Sequence, residues 1–309
     1  MLLFNSIGDV WGQAKELLLR PPSGPALNDW PTFQHYLNGL RPHELTLLCA
    51  PTGSGKTALL ANISRQLLEQ GVSHFVAPVE TGDVDYTLRT FSSLILRDLC
   101  SSEAMSERDL ESAEAQIGEK LDKPLIRGLK NAPLYISPID NRVSVDEMIA
   151  TLQYMHDTKG CVVALLDNLN FFLPVSSASM EKADMDNAIH EFVILAKRIP
   201  MHIILIVHPR KTQDGRVESE FDIKGSSTAV QEASNVILFN RPTQEDLDKR
   251  TRQLNERELV FKKIRKRGMF VGKPIWFRFE NGKYIEQEVP KKLPFGEKTY
   301  AVKYTRSND

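Results

Sequence analysis

The stretch Ala50-Pro51-Thr52-Gly53-Ser54-Gly55-Lys56-Thr57 brings two glycines, a lysine and a hydroxyl together at the end of the apolar run Leu45 to Cys49. Residues of those types in that order could grip a phosphate chain. Successive backbone N–H groups and the start of a helix surround an anion, the lysine reaches the β and γ phosphates, and the hydroxyl ligates Mg²⁺. The pattern G-x-x-x-x-G-K-[ST] asks for glycine where this chain has Ala50. What Ala50 removes is backbone freedom at the mouth of the loop, and a methyl group is tolerated there if φ is negative. Helical spacing of Leu59, Leu60, Ile63, Leu67 and Leu68 downstream completes the strand, loop and helix that the pattern requires. Pro51, Thr52, Gly53, Ser54, Gly55, Lys56 and Thr57 are therefore the expected nucleotide-binding residues.

A phosphate loop can serve a kinase, a GTPase or a motor, so the neighbouring strand ends must narrow the chemistry. In an open parallel sheet the ligand lies beyond the carboxyl ends of the strands. The run Val162 to Leu166 ends in Asp167, placed to hold Mg²⁺ through water. Phe75 to Val79 ends in Glu80, a carboxylate able to polarise a water for attack on a γ-phosphate, and so the expected general base. His202 to Val207 ends in His208, which would lie near that phosphate and could report its presence to the loop that follows. On residue type alone, Asp167 could instead cap its strand, and His208 could be a satisfied structural histidine.

The elements that must position these residues follow from the apolar rhythm. Strands are expected at Leu45 to Cys49, His74 to Val79, Leu134 to Ser137, Val162 to Leu166, His202 to Val207 and Val236 to Phe239, each apolar enough to be covered on both faces. Helices are expected between them at Thr57 to Gln70, Val84 to Leu99, Val145 to Thr158 and Lys182 to Arg198. That alternation predicts an α/β fold with a mostly parallel twisted sheet flanked by helices. Residues 101–130 read as a polar, helical elaboration on the solvated surface. After Arg241-Pro242 the pattern becomes alternating β, with Glu258 to Arg265 and Pro274 to Phe279 forming a C-terminal β-hairpin extension.

Ile7, Val10, Trp11, Ala14, Leu17 and Leu18 fall on one face of a short amphipathic helix, cut off by Arg20-Pro21-Pro22-Ser23-Gly24-Pro25. Its apolar face could cover its own domain or reach beyond it. The expected division is a linker helix over 1–20, an ATPase domain over 21–285 and a Lys-, Pro- and Gly-rich tail over 286–309. With 39 basic and 40 acidic residues in 309, no global charge announces nucleic acid or membrane. No apolar run reaches the roughly 18 residues that a bilayer span needs. Cys49, Cys100 and Cys161 lack metal-ligand spacing, which suits reduced thiols and a cytoplasmic protein, and neither disulfide nor zinc is expected.

Taken together, Ala50 to Thr57, Val79-Glu80-Thr81, Leu166 to Phe171, Val207-His208-Pro209-Arg210-Lys211 and Asp222 to Val236 resemble the RecA-like motor domain of hexameric replicative helicases. The DnaB and Twinkle families and the phage primase-helicases are the nearest in kind. The motifs stand in family order from about Ala26 to Phe279, and members with alanine at the first glycine position are common in that family. The resemblance implies a RecA-like P-loop fold and a ring-shaped motor, a hexamer, that hydrolyses ATP with Mg²⁺ and unwinds DNA in replication. Lys56 and Thr57 match the Walker A lysine and hydroxyl, Asp167 the Walker B acid, Glu80 the catalytic glutamate and His208 the γ-phosphate sensor. A location in the cytoplasm, or in the replication compartment of a phage host or organelle, follows from the same resemblance.

In that family ATP lies between subunits, and a neighbour supplies an arginine finger and a lysine from a late strand carrying K-x-R. Lys263 and Arg265 fit that pattern here, with Arg267-Gly268 as a competing register. Alternation along a strand sends Lys263 and Arg265 to the same face. Single-stranded DNA would be gripped by channel loops, one at Pro174 to Lys182 and a basic one running from Arg210 to Ser227, where Arg210, Lys211, Lys224 and Gly225 are the expected contacts. The amino-terminal helix is expected to dock on the adjacent subunit through Trp11, Leu17 and Leu18. Neither a primase domain nor an amino-terminal collar is expected ahead of the motor, which leaves recruitment of a primase or loader open. A recombinase or clock-type RecA-fold ATPase, acting without unwinding, is the alternative, and a non-motor nucleotide-binding regulator is another.

Overall fold

A computed structural model describes residues 6–19, 23–101, 103–122, 128–138, 143–174, 178–210, 216–219, 222–223, 227–267 and 273–287. Nine strands form one sheet: β1 (Glu44–Cys49), β2 (His74–Pro78), β3 (Leu134–Ile136), β4 (Val163–Asp167), β5 (His202–Val207), β6 (Asn235–Asn240), β7 (Glu256–Ile264), β8 (Ile275–Glu280) and β9 (Lys283–Glu286). Their order across the sheet is β3-β2-β4-β5-β1-β6-β7-β8-β9. The first six are mutually parallel, and β7, β8 and β9 continue the sheet antiparallel. All six expected parallel strands are present.

Strand alternation divides the core into two layers. Leu45, Leu47, Cys49, Ala164, Leu166, Ile203 and Leu205 face α6 (Val145–Lys159) and α7 (Ala178–Arg198), which bring Met148, Leu152, Ile189 and Phe192. Leu48, Val76, Leu165, Ile204 and Ile206 face α2 (Pro31–Leu37) and α3 (Lys56–Glu69) on the other side, with Trp30, Phe33, Leu59, Leu60 and Ile63. Covering both faces is what leaves β1, β2, β4 and β5 buried along their whole length.

Four elements differ from the sequence expectation: α7 begins at Ala178, so the loop expected at Pro174 to Lys182 is helical from there on. Helix α4 (Asp83–Ile95) stops short of Leu99, because Leu96 turns left-handed at φ 57° and the N–H groups of Arg97 and Leu99 return to Ser92. Helix α5 (Glu107–Leu121) is not merely solvated surface: Ala113, Ile117 and Leu121 pack on Leu94 and Ile95 of α4. The carboxy-terminal extension has three strands rather than two, with β8 and β9 joined at Asn281-Gly282, where φ is 48° and 78°. Positive φ at both positions is the type I′ hairpin requirement that an Asn-Gly pair meets at least strain. Helix α1 (Ile7–Leu19) forms as expected and leaves Trp11, Leu17 and Leu18 exposed. Among the described residues no helix is long and apolar enough to cross a membrane.

Candidate phosphate and hydrolysis site

The strand order places the carboxyl ends of β2, β4, β5 and β1 next to one another, so Glu80, Asp167, His208 and the phosphate loop arrive at one edge of the sheet from four adjacent strands. The loop takes its expected shape. Gly55, in the left-handed region at φ 92°, caps α3, and a Cβ there would lie 2.3 Å from the Tyr284 hydroxyl oxygen. Ala50 is absent from the positive-φ residues and wholly buried in the α2/α3 layer, so its methyl group is packing volume at a position needing no glycine. The loop's carbonyls are held from behind. Gly53 accepts from Arg241 Nε at 2.7 Å, Ser54 from Arg257 Nε at 2.5 Å, and Gly55 from the Tyr284 hydroxyl at 3.4 Å. With those carbonyls so engaged, the N–H groups can serve an anion.

In front of the loop the five sequence-derived residues come together. Lys56 Nζ pairs with Glu80 Oε2 and lies 3.7 Å from Asp167 Oδ1. Thr57 Oγ1 donates to Asp167 Oδ2 at 2.6 Å. His208 Nε2 is 3.9 Å from Glu80 Oε2. Burial raises the Glu80 carboxyl, but the hydrogen bond and charge of Lys56, aided by Asn168, bring it below its ordinary value. Asp167 moves the opposite way, because burial outweighs Lys56 and Thr57. His208 is lowered by burial first and the Lys56 charge second, so its ring is neutral at physiological pH.

Asp167 Oδ1 is buried without a hydrogen-bond partner. A hydroxyl beside an orphaned carboxylate oxygen suits a hard cation such as Mg²⁺. Among the described residues no cluster of three His, Cys, Asp or Glu side chains could hold a metal. A cation here would therefore complete its shell with water and phosphate oxygens.

Sequence reasoning missed Asn168, Arg241, Arg257 and Tyr284 as parts of this site. Asn168 follows Asp167 through a cis peptide bond. Its Nδ2 donates to Glu80 Oε2 at 2.9 Å and lies 2.9 Å from His208 Nε2, while its Oδ1 accepts from the Asn170 N–H at 3.0 Å.

Lys263 and Arg265 lie elsewhere. On antiparallel β7, Arg257 is beside the phosphate loop and Lys263 is six residues on, roughly 20 Å along the strand, with Arg265 opening the turn just beyond its end. Lys263 Nζ donates to the carbonyls of Val230 and Gln231 at 2.9 and 2.6 Å, and Arg265 Nη2 to Gln231 and, at 2.9 Å, to Glu232. These are the last carbonyls of α8 (Ser227–Glu232), which cations favour. Burial and the neighbouring Arg265 charge lower the Lys263 ammonium to about 8. Arg267 ends the 3-10 turn Arg265–Arg267.

Of the expected DNA contacts, Arg210 is exposed and its N–H donates to the Asp222 carbonyl at 2.6 Å, beside a Pro209–Ile223 bridge. Lys211, Lys224 and Gly225 lie outside the described residues. Cys49 and Cys161 are buried, Cys100 is exposed, and all three are free thiols.

A phosphate loop feeding α3, a strand-end acid beside its threonine and a glutamate after the next strand define, on this sheet, a RecA-like P-loop ATPase domain. The chain belongs to the DnaB-like helicase C-terminal domain family, whose model matches residues 28–282. It is similar to the DNA helicase/primase of Enterobacteria phage T3, at 29% identity over 108 residues, and that match spans 33% of this chain and 19% of the phage protein. Among solved structures it is similar to a DnaB-like replicative helicase, described with its interactions with primase, at a TM-score of 0.71 and 16% identity over 93% of this chain and 68% of the other. A second solved structure, an isolated ATPase domain, gives a TM-score of 0.71 and 17% identity over 93% of this chain and all of that domain. Those structural likenesses concern the fold. The family membership does not favour the recombinase or clock-type alternative.

Proposed function

We propose that this chain is an ATP-driven motor that assembles as a hexameric ring on single-stranded DNA and unwinds duplex DNA in replication. The observation that carries this reading is the separation of charge between two ends of one sheet. Lys56, Glu80, Asp167 and His208 meet at the carboxyl ends of the strands, while Lys263 near the far end of β7 and Arg265 just beyond it lie too far away to serve the same site. A neighbour's Lys263 and Arg265 would complete each site, with Arg267 as the competing register. To reach a phosphate they would leave the α8 carbonyls, exchanging neutral acceptors for a charged one.

In this mechanism Glu80 is the general base. Lys56 and Asn168 both bond to Oε2, which leaves Oε1 to accept from a water. When a γ-phosphate arrives, Lys56 turns to it and Glu80 loses the cation that holds its pKa down, so the carboxylate becomes a stronger base as the substrate is seated. Thr57 and, through water, Asp167 would hold Mg²⁺, which neutralises phosphate charge when bound. His208 would sense the γ-phosphate. Arg210, Lys211, Lys224 and Gly225 would contact the DNA, and α1 would dock on the adjacent copy through Trp11, Leu17 and Leu18, whose exposure supports that role.

ATP turnover measured with and without single-stranded DNA, beside the mass of the assembly, tests the proposal. Stimulated turnover in a closed hexamer is expected. Turnover indifferent to DNA, or open filaments, would contradict it.

A further inference from the structure

The side-chain amide of Asn168 has an orientation that its surroundings fix. Its Oδ1 takes the Asn170 N–H at 3.0 Å, so the other end must be the NH₂. A flipped amide would set NH₂ against N–H and oxygen against the Glu80 carboxylate. Two hydrogens then point two ways, one to Glu80 Oε2 and one to His208 Nε2, each at 2.9 Å. A nitrogen that receives a hydrogen bond carries a lone pair, so the proton of the neutral ring is on Nδ1. A backbone hydrogen bond to Ala50 is the ring's other contact, and an Nδ1–H can make it with the carbonyl. The result is a closed circuit: Ala50 carbonyl, His208, Asn168, Glu80 and Lys56. It begins and ends in the phosphate loop.

We propose that Asn168 is a positioning residue for hydrolysis, whose amide ties the Glu80 carboxylate to His208 and holds His208 in the Nδ1–H tautomer. The inference rests on the roles proposed for Glu80 and His208. It gives the circuit a use: Glu80 keeps its Asn168 bond when Lys56 turns to a phosphate, so the base stays aimed while its cation leaves. It also means that His208 in this state has no Nε2–H to offer a phosphate, and must exchange its Asn168 bond or gain a proton to do so. Charged groups facing the ring are Lys56 from α3, Glu80 after β2 and Asp167 at the end of β4.

The test uses the full chain and two variants. Asn168→Asp has the same shape and keeps an oxygen for the Asn170 N–H, but loses both donors; Asn168→Ala loses all three bonds. Long-range ¹H–¹⁵N spectra, with the His208 signal assigned by its absence in His208→Gln, report the tautomer directly. The unliganded wild type should show Nδ1–H, and Asn168→Asp should move the proton to Nε2. In both variants kcat should fall about 10- to 100-fold while the Kd for a non-hydrolysable ATP analogue stays within about threefold, the signature of a loss confined to the reacting state. An Nε2–H tautomer in the wild type overturns the proposal without recourse to any variant, as does an unchanged kcat in Asn168→Asp. Full turnover in Glu80→Gln would instead sink the assignment of the base and leave the tautomer result standing.

Discussion

At the carboxyl ends of the parallel strands the polar groups meet across a site that solvent can enter: the Glu80 side chain is 31% exposed and His208 19%. At the opposite end Arg41, Glu44, Thr46, His202 and Asn235 are buried and linked into a chain. Arg41 pairs with Glu44 at 3.0 Å, Asn235 bridges Glu44 and Thr46 at 3.0 Å each, and His202 joins Thr46 at 2.9 Å to the Arg41 carbonyl at 2.8 Å. The difference is between groups that must exchange partners and groups that must not. Asn235 pairs with Ile264 in the register of β6 and β7, and the Arg265 N–H bonds to the Ser234 carbonyl at 2.9 Å. The rigid end is therefore the platform from which Lys263 and Arg265 project, and the open end is where a neighbour's pair would be received.

The comparison breaks most readily at Arg265. Arg265→Ala should lower ATP turnover about a thousandfold, the scale of an arginine finger, while binding of an ATP analogue persists. Arg267→Ala should cost little, and the reverse ranking would move the finger to the second register. Of comparable size, Glu80→Gln should lower kcat about 10²- to 10⁴-fold with nucleotide binding retained, as measured by steady-state turnover and titration. In the unliganded chain the Glu80 carboxyl lies below its ordinary 4.5, so its protonation should limit kcat/KM only below that value, whereas kcat, set with Lys56 turned to the phosphate, should begin to fall at a higher pH.

The buried end should answer to pH through stability rather than turnover. His202 is wholly buried and held down to about 4 from 6.5, so the folded state excludes a proton that the unfolded chain accepts in that window. Stability is then full above about 6.5 and falls as pH drops towards 4, by up to about 3 kcal/mol for this one group. Denaturant titrations at several pH values should show that slope, and His202→Gln should reduce it, leaving the share of His74, which is also wholly buried and held down to about 4. The smallest effect is expected at Tyr284→Phe, which removes the hydroxyl behind Gly55 and should cost about 1 kcal/mol of stability with a modest loss of nucleotide affinity.

How far the sequence could be read depended on the range of the contacts. The phosphate loop, Glu80, Asp167 and His208 are each marked by an apolar strand directly before them, and their convergence follows from the parallel order of those strands. Arg241, Arg257 and Tyr284 carry no such mark. Tyr284 reaches Gly55 across 229 positions, and Arg257 reaches Ser54 across 203, through antiparallel strands whose register no local pattern dictates. Asn168 adjoins a legible acid, yet its part depends on where Glu80 and His208 end up, which only the sheet order decides. The third carboxy-terminal strand is a different case. Its signal, Asn281-Gly282 between alternating residues, is local, and turn chemistry alone predicts the hairpin.

The central claim is that each site draws its base from one copy and its arginine from the next, and mixing two inactive variants tests it most directly. Glu80→Gln keeps Arg265, and Arg265→Ala keeps Glu80, so co-assembly at equal amounts should rebuild complete sites at about one interface in four and restore ATP turnover well above that of either variant alone. A mixture that turns over no faster than the sum of its separate parts, with co-assembly verified by mass, would contradict a site shared between neighbours.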